Sequence, residues 1–210
     1  MYDIILLEVI KMLTNEQIEQ NKQEFIDILN KNVKREGLKE LIAYLVKTDF
    51  FTAPASTKFH CDYAGGLCEH SLSVYRRLKA MVAAEEKVDA SDESVAICGL
   101  LHDICKANYY KVQMRNTKVN GVWVEQPFYS VEDTLPFGHG EKSVYIINGY
   151  MRLTREEAMA INWHMGFTDA RAQNGFALSE AFRRFPFASL LHAADFLSTY
   201  VDENSELQNK

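Results

Sequence analysis

Apolar residues in this chain recur mostly at helical spacing, and one stretch breaks that rhythm. Thr14-Asn15-Glu16-Gln17 is a capping box with Thr14 as N-cap. Ile18, Phe25, Ile28 and Leu29 follow on one stripe and predict a helix over about residues 15–34. Gly37 punctuates it, and Leu38, Leu41, Ile42 and Leu45 predict a second helix. Residues 50–64, with Pro54 inside and Gly65-Gly66 behind, read as an irregular loop that delivers His60. Leu67, His70, Val74, Leu78 and Met81 then mark an amphipathic helix with His70 near its start. Ser91-Asp92-Glu93 caps the next, which is apolar on nearly every side and predicted to run to about residues 106–108. His102-Asp103 falls in its middle.

The period changes at residue 109. Residues 109–119 and 122–129 are rich in Val, Tyr, Trp and Thr, and Asn120-Gly121 joins them. That dipeptide between such runs predicts a β-hairpin with a type I′ turn, inserted at about residues 109–130. Helical spacing resumes after Pro136-Phe137-Gly138-His139-Gly140-Glu141, with His139 in the first turn among glycines that would let backbone approach a ligand. Thr154-Arg155-Glu156-Glu157 is a second capping box, and its helix is predicted to carry Ile161 and His164 before Gly166 stops it. Pro186 opens the last helix, which places His192 and Asp195 at i, i+3 on one face. Beyond Val201 the chain is polar and predicted to fray. The expected fold is an all-α bundle with one inserted hairpin. One domain would span 1–210, with an extension at 1–13, N-terminal helices at 14–49, a core at 50–201 and a polar tail at 202–210.

Composition narrows this picture. At 210 residues and 47% hydrophobic, the chain can bury a substantial single core. A net charge of −6 disfavours nucleic acid as a partner, since nucleic-acid-coating proteins carry a clustered basic face. Small phosphorylated substrates remain compatible with it, because a local metal charge outweighs the global field. Cys61, Cys68, Cys98 and Cys105 suggest no disulfide framework, which points to a reducing cytoplasm. No run approaches the ~20 apolar residues of a membrane span. Cys61, Cys68 and His70 match no common structural zinc spacing.

Two apolar helices, each with a His and an Asp, pose the chemical question. An ionised carboxylate in an apolar interior costs several kcal/mol or more unless something compensates it. Asp103 beside His102 and Asp195 beside His192 could share a metal cation, or be buried hydrogen-bonded couples with a structural role.

The order His70, His102-Asp103, His139, His164, Asp195 resembles the HD-domain superfamily of metal-dependent phosphohydrolases. Residues 65–74 look like the GGLxEHSLxV segment of HD domains related to certain 3′–5′ exoribonucleases, and residues 100–106 look like LLHDIGK. The resemblance covers about residues 50–200. It implies that His70, His102, Asp103 and Asp195 hold one metal and that His139 and His164 hold a second, with Asp103 bridging. Imidazole and carboxylate suit Mn, Fe, Co, Ni or Zn alike. Two such metals ~3.5–4 Å apart could hold a bridging hydroxide for in-line attack on a phosphoryl group. Lys106 matches the motif lysine and would bind phosphate oxygens or stabilise the transition state; the competing reading is a solvated lysine at a helix end. His60 and His192 would line the pocket and meet substrate, or His192 would orient Asp195.

Departures from the family pattern bear on the substrate. Cys105 replaces the motif glycine, no nucleic-acid-binding OB-fold is expected in the first 50 residues, and the HD-GYP signature is missing after His139. Exonuclease and cyclic-dinucleotide activities are therefore disfavoured. The expected function is hydrolysis of a phosphomonoester or phosphodiester in a nucleotide-like or other small phosphorylated substrate, with Asp103 and Lys106 as catalytic residues. The alternatives are a di-iron HD-domain oxygenase and a non-catalytic nucleotide- or RNA-binding module. The hairpin, with Lys111, Arg115 and Lys118, would be a lid or a solvated strand face.

Overall fold

The computed structural model of the protein describes residues 12–58, 60–119, 121–173 and 175–203. Among these residues the regular structure is eight α-helices, one two-stranded hairpin, three single 3₁₀ turns and one π-helical turn. Both capping boxes form. Thr14 caps α1 (Asn15–Asn32) and Thr154 caps α6 (Arg155–Asn162), each with reciprocal bonds to the residue three positions on. Between them lie α2 (Leu38–Lys47), α3 (Gly66–Ala84), α4 (Asp92–Leu101) and α5 (His139–Asn148). After them come α7 (Phe176–Arg184) and α8 (Pro186–Leu197), the latter started by Pro186 as expected. Helix α7 has no counterpart in the sequence reading.

The bundle is centred on α3, which packs against α1, α4 and α8, while α6 bridges α4, α5 and α8. Phe25, Phe50, Leu41, Leu72, Leu100 and Phe187 are fully buried between them. Phe25, Phe50 and Phe51 meet edge to face at centroid distances of 5.3–5.4 Å. Two glycines set how closely the helices approach. A Cβ on Gly99 would lie 2.7 Å from Tyr75 Cα, so α4 lies directly against α3. A Cβ on Gly140 would lie 2.2 Å from the Asn162 carbonyl oxygen, so the start of α5 touches the end of α6. Gly140 therefore serves helix packing, where the sequence suggested room for a ligand.

Helix α4 stops at Leu101, short of the predicted end. Asp103 adopts φ −104°, ψ 18°, and a single 3₁₀ turn follows at Ile104–Lys106. His102-Asp103 thus lies at the break between helix and turn, in the bridge region that ordinary helices do not use. Helix α6 likewise ends at Asn162, leaving His164 just past it.

The hairpin is β1 (Tyr110–Val119) and β2 (Val122–Val131), antiparallel, with Tyr110 opposite Val131 and Val119 opposite Val122. Gly121 has φ 85°; Asn120, the other turn residue, lies outside the described residues, as do 1–11 of the expected extension and 204–210 of the tail. Its base is fixed. Tyr110 Oη donates to the Ala55 carbonyl at 3.2 Å, and Lys142 Nζ donates to Asp133 at 2.6 Å while lying over the Tyr109 ring. Its outer part is exposed, including Val112, Met114 and Trp123. Lys111 pairs with Glu132, and Arg115 lies over Phe128, which fits a solvated strand face. No helix among the described residues is long and apolar enough to cross a membrane. All four cysteines are free and buried.

Candidate metal centre

The break after α4 aims Asp103 into the bundle, where four histidines converge on its two oxygens. Oδ2 faces His102 Nε2 at 3.6 Å and His70 Nε2 at 3.8 Å. Oδ1 faces His139 Nε2 at 2.7 Å and His164 Nε2 at 3.4 Å. Asp195, from α8, brings Oδ1 to 3.1 Å from His70 Nε2. All six residues of the sequence-derived ligand set therefore meet at one place. The ligand atoms of His70, His102 and Asp103 lie within 4.8 Å of one another, as do those of Asp103, His139 and His164, and of His102, His164 and Asp195. His70, His102, Asp103 and His164 are almost wholly buried, and exposure is confined to His139 and Asp195.

The ring orientations are fixed from behind. His102 Nδ1 donates to the Gly99 carbonyl at 3.0 Å, and His164 Nδ1 donates to the Ile161 carbonyl at 2.6 Å. A carbonyl only accepts, so these nitrogens carry protons, and in the neutral ring Nε2 is left with a lone pair. Yet the Nε2 atoms of His70, His102 and His164 have no hydrogen-bond partner among the described residues. Lone pairs face carboxylate oxygens across 3.4–3.6 Å at His102 and His164. Acceptor against acceptor in a dry interior needs a positive charge between them.

In the metal-free molecule protons supply part of that charge. Burial disfavours the His70 imidazolium, but Glu203 and Asp195 outweigh it and raise its pKa to about 10. His139 is raised to about 10 as well, against burial, by Cys105 and Asp103. Burial lowers His102 to about 4, with Asp103 only partly offsetting it. Asp103 and Asp195 are held below the usual carboxylate range despite burial, the first by Lys106 and its histidines, the second by His70.

Lys106 is the centre's other cation. Its Nζ donates to Asp103 Oδ2 at 2.7 Å and the residue is buried, so it is not a solvated lysine at a helix end. Asp103 keeps it charged against the cost of burial. The His60 ring lies tilted against the His70 ring at a centroid distance of 4.7 Å, with Nε2 buried and without a partner among the described residues. Burial lowers it to about 4, helped by His70 and Lys106, so it is neutral near pH 7. His192 donates through Nδ1 to the His164 carbonyl at 2.7 Å and stacks on Phe182. It braces the His164 turn; no hydrogen bond to Asp195 accompanies this.

Two residues join the site without a sequence signal. Cys105 Sγ lies 3.6 Å from both ring nitrogens of His139. Glu203 Oε1 lies 2.8 Å from His70 Nδ1, and Asp202 pairs with Arg77. The expected fraying therefore does not begin at Asp202: a π-helical turn, Ser198–Asp202, carries these two acids back onto α3. A wide groove between α2, α5 and α6, walled mainly by Tyr44, Tyr145, Ile146 and Met159, lies apart from this cluster. It gathers no comparable set of His and Asp side chains among the described residues. Comparisons of the chain with family models, curated proteins and solved structures gave no match.

Proposed function

We propose that this chain is a divalent-metal-dependent hydrolase of phosphoric esters, of the HD-domain type its sequence resembles, acting on a small phosphorylated substrate. One observation carries the reading. Buried, unpartnered imidazole Nε2 atoms face both oxygens of a single buried aspartate. A dry cluster of lone pairs and carboxylates is the donor set of a transition-metal centre, and it is a poor way to build an inert core. His70, His102 and Asp195 would hold one cation with Asp103 Oδ2, and His139 and His164 a second with Oδ1. When bound, such cations would supply Lewis acidity toward a phosphoryl oxygen and would bring the pKa of a bound water toward about 7.

The chain's own residues do the rest. Asp103 offers one oxygen to each half of the cluster, which fixes the spacing between the halves. Lys106 keeps an ammonium at the edge of the centre, where it would meet the negative charge that builds on the phosphoryl oxygens. His139 and Asp195 are the exposed ligands, so substrate reaches the centre from their side. His60, neutral and unpartnered beside His70, is placed to accept a hydrogen bond from substrate or water.

Elemental analysis of protein purified without added metal, followed by a phosphatase and phosphodiesterase screen, tests the reading. Transition metal at one or two equivalents and turnover of a phosphoester are expected. Asp103→Ala should abolish both, whereas Lys106→Ala should retain metal and lower turnover by about 10²-fold, the scale of losing one charge-stabilising donor. Normal metal content and activity in Asp103→Ala would overturn the site. Two irons with strictly oxygen-dependent turnover would overturn the hydrolase.

A further inference from the structure

The histidines facing Asp103 differ in how their Nδ1 protons are received. His102 and His164 sit just past the ends of α4 and α6, where last-turn carbonyls are left without helical partners, and they use Gly99 and Ile161. His70 sits near the start of α3. There the carbonyl three positions back, that of Leu67, already accepts from Ser71 Oγ at 2.8 Å. The acceptor for His70 comes from 133 positions down the chain: Glu203 Oε1, at 2.8 Å.

We propose that Glu203 is a positioning residue of the metal centre, accepting the His70 Nδ1 proton and so fixing the tautomer whose Nε2 faces Asp103 and Asp195. This rests on the metal-centre reading. Glu203 is nearly inaccessible, with 6% of its side chain exposed, so its contact with His70 is not a rim ion pair. The segment carrying it is pinned to the same helix two turns along, by Asp202 on Arg77. A carboxylate behind a ligating imidazole both orients the ring and makes it a better donor, and such partners typically govern metal affinity by 10–100-fold.

The test is zinc binding to protein stripped with a chelator, at pH 7, by calorimetry. Glu203→Leu should weaken zinc by about 10–100-fold. Glu203→Gln, whose amide oxygen still accepts the Nδ1 proton, should recover most of that loss. Arg77→Ala, which loosens the segment but leaves the Glu203 carboxylate in place, should weaken zinc less than Glu203→Leu does. Wild-type affinity in Glu203→Leu overturns the proposal, and so does a loss in Glu203→Gln equal to that in Glu203→Leu, which would show that accepting the Nδ1 proton is not what matters. A readout on the unaltered chain guards against a variant that fails to fold. Nitrogen-15 shifts of zinc-loaded wild type should show His70 protonated at Nδ1 and metal-bound at Nε2, and the reverse assignment overturns the proposal. A wild-type chain that takes up no zinc or other divalent ion overturns the metal-centre reading and this proposal together. Zinc uptake unaffected in Glu203→Leu removes the proposal alone.

Discussion

Arg35 lies in the connection after α1 and holds two carboxylates from distant elements. Its guanidinium donates to both oxygens of Glu157 at 2.6 and 2.7 Å and to Glu93 at 3.1 Å. Glu157 is wholly buried, and it also accepts from Ser94 Oγ and from the Thr154 backbone N–H. The capping box announced that Glu157 would close the start of α6. That it would also be the buried anchor of α1 was not legible, because its partner is 122 positions away. Removing Arg35 strands a buried charge, a loss of about 3–5 kcal/mol. Arg35→Ala should therefore lower Tm by about 10 °C in scanning calorimetry, at 2–4 °C per kcal/mol for a chain of this size. Arg76→Ala, which breaks an exposed pair with Glu24, should move it by no more than about 4 °C. Equal shifts in the two variants would show that Arg35 is not the anchor described. The same locality explains Glu203: a polar residue after an apolar helix reads as tail, and only the fold brings it to His70.

At the scale of elements, caps and periodicity were the readable features. Helices α1, α2, α3, α5, α6 and α8 and the hairpin were recovered to within a few residues. Helix α7 was not, because Gly175 gives it no side-chain cap and its short apolar stripe has no strong start signal. The break at Asp103 was invisible for a different reason. A segment apolar on every side carries no phase, so nothing in its pattern marks where helix gives way to turn. The break matters for the site, since it places Asp103 and Lys106 on one side of the chain. The hairpin is readable but contributes least to the bundle, being held through Tyr109, Tyr110 and Asp133 at its base. Replacing residues 114–127 by a two-residue Asn-Gly turn should leave thermal stability and metal content unchanged. Loss of either, by calorimetry or elemental analysis, would mean that the arm supports the centre.

For the molecule as a whole, the centre sets how stability depends on pH. His70 and His139 have pKa values of about 10 in the metal-free fold, against 6.5 for an ordinary histidine. Between those values the folded chain holds more protons than the unfolded one, so stability is full below pH 6.5 and is lost as pH rises toward 10. His60 and His102 are lowered to about 4, so the unfolded chain gains more protons as pH falls from 6.5, and stability drops on that side too. Chelator-treated protein should therefore show a Tm maximum near pH 6.5, falling on both flanks. Protein loaded with a divalent cation should lose the alkaline decline, because the ion takes the place of the two protons. A flat profile in the stripped protein would contradict this assignment of charge.

The ligand atoms around Asp103 come from α3, the end of α4, the start of α5, the turn after α6 and α8, with Glu203 behind them. The pair of ions proposed there would tie five separate stretches of backbone together around one aspartate. Their grip would oppose partial opening far more than it would alter the resting shape. The chain would then keep two kinds of wholeness apart: a core that closes by itself, and a centre that, once filled, keeps the ends of the helices from coming undone one at a time.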